Sequence, residues 1–136
     1  MKLIHKIYGT GQPLIIMHGL FGSGDNWRSI ARMMEPHYQS IVVDMRNHGR
    51  SPHDPEMNFQ VMADDILELM TDLKLEKVSL LGHSMGGKVA MQFSFLHPDL
   101  VEKLIVVDIA PKYYPPHHDV VIEAIESIDP KQLTDR

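Results

Sequence analysis

Two short segments carry side chains and turns suited to covalent chemistry. The first is Gly82-His83-Ser84-Met85-Gly86-Gly87-Lys88, placed where an apolar run, Val78-Leu81, gives way to a helical pattern. It satisfies G-x-S-x-G, in which a sharp strand-to-helix turn holds the serine in a strained backbone conformation with its hydroxyl projecting from the sheet. A Cβ at Gly82 or Gly86 is expected to run into the neighbouring strand or helix, so both positions require glycine. The helix start also presents N–H groups to a developing anion. The second segment, Leu14-Ile15-Ile16-Met17-His18-Gly19-Leu20-Phe21-Gly22-Ser23, ends another apolar run. Acyl transfer needs two oxyanion donors. One is the N–H after the nucleophile, on Met85, and the other comes from the loop after an earlier strand, where Gly19 lets the N–H of Leu20 or Phe21 face the reacting carbon.

Gly82-Lys88 also satisfies the phosphate-loop pattern G-x-x-x-x-G-K, and Leu104-Asp108 reads as the apolar strand ending in an Asp that helps hold magnesium. That reading fails at Val89, which stands where a Ser or Thr hydroxyl would bind the metal. It also has no use for the His18-Ser23 segment, whereas acyl transfer needs both, and both fall at strand ends, where open α/β sheets bind ligands.

The elements that position these segments follow from hydrophobic spacing. Leu14-Met17, Ile41-Val43, Val78-Leu81 and Leu104-Val107 read as buried parallel strands. Lys2-Tyr8 reads as an edge strand turning at Gly9-Thr10-Gly11. Phe59, Met62, Ile66, Leu69 and Leu73 keep helical spacing, with Asp64, Asp65, Glu68 and Asp72 assigned to the solvent face. Further helices fit Trp27-Met34, which stops before Pro36, and Met85-Leu96, which stops before His97-Pro98. Strand and helix alternate, which predicts an open α/β sheet. Past the Pro and Tyr connector 110–116, Val120, Val121, Ala124, Ile125 and Ile128 return to helical spacing, as the start of a separate layer.

Composition narrows the function. The chain has 136 residues, 43% apolar and 23% charged, the makeup of one globular domain, with a net charge of −5. No basic field exists for nucleic acid or anionic lipid. Cysteine is absent, so disulfides, thiolate zinc sites and a Cys nucleophile are excluded. No stretch reaches the length of a membrane helix and the N-terminus lacks a signal-peptide core, so a cytoplasmic chain without a membrane partner is expected. Nine His residues include no H-E-x-x-H pattern, and the His117-His118 pair has no partner at ligand spacing, so no metal and no cofactor are expected.

The blocks 18–23 (HGLFGS), 44–51 (DMRNHGRS), 82–87 (GHSMGG) and 97–111 (HPDLVEKLIVVDIAP) resemble, in order and spacing, the N-terminal half of an α/β-hydrolase of the YbfF esterase type. The resemblance implies a doubly wound, mostly parallel sheet of the α/β-hydrolase type, with the C-terminal strands and most of the lid missing. Residues 1–111 would be the N-terminal part of the core and 112–136 the start of a helical lid. It implies a serine hydrolase of acyl esters or acyl-CoA thioesters, with Ser84 as nucleophile, Leu20 and Met85 as oxyanion donors, and Asp108 as catalytic acid. Asp108 competes with a structural carboxylate capping the turn to Ala110-Pro111, and with an acid after a seventh strand. Phe21 and Met85 are candidates for the acyl pocket. His18, His83, Asp44, Arg46 and His48 are expected to be scaffold.

In this fold the base follows the acid in the chain. Downstream of Asp108 only His117 and His118 remain, within the connector, and neither is taken as the base. The histidine is therefore expected from a missing C-terminal half, in the same protein or a second chain, and the chain alone is expected to be a weak enzyme. Leu104-Val107 is expected at an open sheet edge, which favours association. A non-catalytic, ligand-binding relative of the same fold is the other reading.

Overall fold

The computed structural model describes residues 1–115 and 119–127. Its centre is a five-stranded sheet of β1 (His5–Tyr8), β2 (Gln12–Met17), β3 (Tyr38–Val43), β4 (Val78–His83) and β5 (Val101–Val107). The spatial order is β1-β3-β2-β4-β5, with β1 antiparallel to β3 and every other pair parallel. The parallel strands pair in a register that sets Ile15 beside both Ile41 and Leu80, and Ile16 beside Val42 and Leu81.

Helices cover both faces because successive strand residues point to opposite sides. Ile15, Met17, Ile41, Val43 and Leu80 pack on the apolar stripes of α2 (Phe59–Asp72) and α3 (Met85–Leu96). Leu14, Ile16, Val42 and Leu81 pack against Ala31 of α1 (Arg28–Met34), with Trp27 and Met34 alongside. The sheet is thus doubly wound. The helix expected from Trp27 starts one residue later, after a 3-10 turn over Gly24–Trp27, because the Asn26 side chain accepts from the Ser23 N–H (2.7 Å) and tightens the chain there. A fourth helix, α4, spans Asp119–Glu126. His117, His118 and Ile128 lie outside the described residues.

Two expectations change. The strand around Leu104-Val107 starts earlier, at Val101, and as the outer strand it leaves Leu104 and Ile105 exposed rather than buried. Asp65, assigned to the solvent face of α2, is 1% exposed. It lies three residues after Met62 and one before Ile66, at the margin of the buried stripe, and Arg46 from the loop after β3 reaches it. The guanidinium donates from Nε to Oδ2 (2.6 Å) and from Nη2 to Oδ1 (2.8 Å), and the Met1 ammonium lies 3.0 Å from Oδ1. Asp65 holds the Arg46 guanidinium even more firmly protonated than usual. Among the described residues no helix is long and apolar enough to cross a membrane.

Removing one member of a buried ion pair leaves the other charge uncompensated. Asp65→Asn should therefore lower the unfolding free energy by about 3 to 5 kcal/mol, read from the urea midpoint. A loss below about 1 kcal/mol would show that Arg46 finds another counter-charge.

Candidate active site

Ser84 is the single residue between β4, which ends at His83, and α3, which starts at Met85. Its backbone sits at φ 51°, ψ −113°, outside the regions a serine normally occupies. The turn is this tight because strand and helix nearly touch. A Cβ on Gly82 would lie 2.2 Å from the Gly86 carbonyl oxygen, and one on Gly86 would lie 2.4 Å from the Met17 carbonyl oxygen. A phosphate loop has no room in a one-residue connection, so the alternative reading of Gly82-Lys88 finds no support in the backbone.

The elbow is tied to the strands on either side. Ser84 N–H donates to the Val107 carbonyl (3.0 Å) and Gly86 N–H to the His18 carbonyl (3.1 Å). The N–H groups of Met85 and Leu20 make no hydrogen bond among the described residues. Both residues line one cavity of about 810 Å³ together with Ser84 and Asp108. Two free donors at the start of α3 and in the loop after β2 suit an oxyanion.

Phe21 is not brought into this cavity. It sits at φ 60°, is 58% exposed, and lines an adjoining cavity of about 630 Å³ with Trp27, Ile30 and His83. Met85 does line the Ser84 cavity, as do Met57, Phe59 and Met62, whose role the spacing alone did not reveal because Phe59 and Met62 also fit the core stripe of α2. Lys88, Ile109 and Tyr114 complete part of the wall.

Asp108 directly follows β5, at φ 56°, and is exposed. Its carboxylate caps no backbone N–H of the following turn among the described residues, and its Oδ2 lies 3.8 Å from Nε2 of His83. The His83 ring stands beside the turn after β2, since a Cβ on Gly19 would lie 2.9 Å from His83 Nδ1 and 3.4 Å from Ser84 Cβ. His83 thus occupies the space between the two motif loops and Asp108.

The remaining motif residues hold loops. His18, 1% exposed, accepts from the Met45 N–H at Nε2 (3.0 Å), so its proton is on Nδ1, which donates to the Gly19 carbonyl (2.7 Å). Burial pushes its pKa below the ordinary histidine value. Asp44 accepts from Gly24 N–H (2.7 Å) and Arg50 N–H (3.0 Å), joining the loop after β3 to the loop after β2. Among the described residues no three His, Asp or Glu are grouped to hold a metal ion.

Residues 12–134 match the alpha/beta hydrolase fold family. The chain is 42% identical over 120 residues to Esterase YbfF of Escherichia coli (strain K12), covering 88% of this chain and 47% of that protein. It is 44% identical over 111 residues to an sn-1-specific diacylglycerol lipase of Danio rerio, covering 80% of this chain and 35% of that one. The solved structure of a marine microorganism esterase superposes with a TM-score of 0.92 at 49% identity, covering 95% of this chain and 52% of the other. The chain therefore spans less than half the length of these two curated relatives.

Two outcomes follow from the geometry. Gly86→Ala should lower stability by about 3 kcal/mol or more in urea unfolding, because its new Cβ meets backbone oxygen that cannot rotate away. A near-neutral effect would mean that α3 can shift off β2. His18 binds fewer protons folded than unfolded once pH drops below about 6.5, so its contribution is full above that value and is lost as pH falls. Unfolding free energy should decline between about pH 7 and pH 5, and His18→Gln should flatten that part of the curve. An unchanged slope in the variant would assign the dependence to other groups.

Proposed function

We propose, because the chain belongs to the alpha/beta hydrolase fold family, that it carries the nucleophile half of a serine hydrolase acting on carboxylic esters or acyl thioesters. The observation that carries this reading is Ser84 at positive φ, sharing one cavity with two residues whose N–H groups are unengaged, Leu20 and Met85. Relatives named as an esterase and a lipase support the same class of substrate.

In the proposed reaction Ser84 Oγ attacks the carbonyl carbon, its proton passes to a histidine base, and the carbonyl π electrons move to oxygen. The Leu20 and Met85 N–H groups hold that oxyanion. The tetrahedral species collapses by breaking the bond to the alcohol or thiol, which leaves with the proton from the base. Water then attacks the acyl-Ser84 ester and releases the acid. Asp108 orients the histidine and stabilises its charged form, from the end of the strand next to the nucleophile strand. The base is contributed from beyond the described residues, by the same polypeptide or a second chain, and neither a metal nor an organic cofactor enters any step.

With the histidine-bearing part of the protein present, a fluorophosphonate probe should label Ser84, as mapped by peptide mass spectrometry, and Ser84→Ala should abolish labelling and lower kcat/KM for p-nitrophenyl butyrate by about 10⁴-fold or more. Ester turnover that survives Ser84→Ala unchanged would overturn the assignment. Labelling without turnover would restrict the chain to an activated nucleophile, and a folded protein that does neither would favour the ligand-binding reading.

A further inference from the structure

Lys88 closes the Gly82-Lys88 segment, and the proposed ester hydrolysis gives its side chain no role. It lies on the first turn of α3, where its N–H donates to the Ser84 carbonyl (3.1 Å) and its side chain lines the Ser84 cavity. Its ammonium donates to the Lys112 carbonyl and lies 5.0 Å from the centroid of the Tyr114 ring. The Lys112 ammonium is also 5.0 Å from that centroid. The two cations are therefore at most twice 5.0 Å apart. Neither forms an ion pair among the described residues.

Two like charges that share one ring, with no counter-ion among the described residues, repel one another. The tyrosine ring attracts both cations through its quadrupole but cancels neither charge. The Lys112 carbonyl takes one of the three Lys88 ammonium protons and leaves donors over. Asp108 lines the same cavity, and its charged contact is with His83, at 3.8 Å, rather than with either lysine. The surrounding wall is largely apolar, from Met57, Phe59 and Met62, which strengthens any charge interaction made inside it. At about 810 Å³ the cavity holds more than a scissile ester group.

We infer that Lys88 and Lys112 form an anion subsite that recognises a carboxylate or phosphate carried on the ester substrate. This rests on the serine hydrolase reading above and adds the charge of the substrate to it. Tyr114 fixes the subsite by accepting the Ala110 N–H at its hydroxyl (3.1 Å), which folds the connector after Asp108 back beside α3.

The test compares kcat/KM for three esters: p-nitrophenyl butyrate, the p-nitrophenyl hemiester of glutaric acid, and a butyrate ester whose alcohol carries a phosphate monoester. Wild type should prefer one anionic ester, and which one assigns the charge to the acyl side or the leaving-group side. Lys88→Gln should lower the ratio of anionic to neutral kcat/KM by about tenfold or more, Lys112→Gln should lower it in the same direction, and Lys88→Arg should keep it within about threefold. A wild type indifferent to charge, or ratios unmoved in both Gln variants while the neutral ester is turned over, would overturn the subsite. All three esters are assayed with the histidine-bearing part of the protein present, and failure to turn over any of them there would instead overturn the serine hydrolase reading on which the subsite stands. Circular dichroism of each variant separates loss of recognition from loss of fold, with the Lys112 variant, on an exposed residue, as the second route to the same ratio.

Discussion

A strand and a helix joined by one residue dominate this molecule. Between β4 and α3 only Ser84 is free to turn the chain, so α3 must begin almost in contact with the sheet. That contact is possible because backbone meets backbone at Gly82 and Gly86, where even one carbon would intrude by more than an ångström relative to ordinary van der Waals distance. Everything at the C-terminal edge of the sheet is arranged around this approach. The Gly86 N–H reaches the His18 carbonyl and the Ser84 N–H reaches the Val107 carbonyl, so the ends of β2, β4 and β5 are fixed relative to one another through main-chain atoms. Backbone ties of this kind locate the two unengaged N–H groups and the serine hydroxyl in one frame, and catalysis by oxyanion stabilisation depends on just such fixed dipoles.

The second layer of support is polar and buried. His18 hands the frame on to the loop after β3 by accepting the Met45 N–H, and Asp44 ties that loop back to Gly24. Arg46, from the same loop, reaches Asp65 on α2. The chain thus passes from the turn after β2 to α2 through hydrogen-bonded side chains rather than apolar packing. Such a chain defines a geometry at some cost in desolvation, which suits a loop that must hold its shape without covering the cavity.

Much of this could be read from residue order. Short continuous apolar runs marked the strands, and helical spacing that stops before Pro36 and before His97-Pro98 marked α1 and the C-terminal end of α3, because packing and propensity agreed there. G-x-S-x-G located Ser84 because its chemistry needs residues adjacent in the chain. Asp65 was misplaced because a helix margin is buried or exposed according to what arrives from elsewhere, and Arg46 arrives from nineteen residues away. The far wall of the cavity escaped for the same reason. Met57 and Phe59 meet Ser84 only through the folding of α2 onto α3, and Tyr114 meets Lys88 only once the chain after β5 turns back, so no local pattern records either meeting.

Backbone strain offers a separate line of argument about which side chains are used. Five described non-glycine residues have positive φ: Phe21, Asn47, Lys74, Ser84 and Asp108. Lys74 follows the end of α2, a common place for the left-handed conformation. The other four all fall in the segments that leave the C-terminal ends of the parallel strands β2, β3, β4 and β5. Asparagine tolerates this region, but serine, phenylalanine and aspartate pay on the order of 1 kcal/mol or more to remain there. Glycine would relieve the strain at each position while giving up the side chain. At Phe21 the side chain is exposed and packs little, and at Asp108 the carboxylate makes no hydrogen bond to its own turn, so local stability explains neither residue. Apart from Lys74, the strain therefore gathers at the C-terminal edge of the sheet, the edge at which the β4–α3 turn places Ser84.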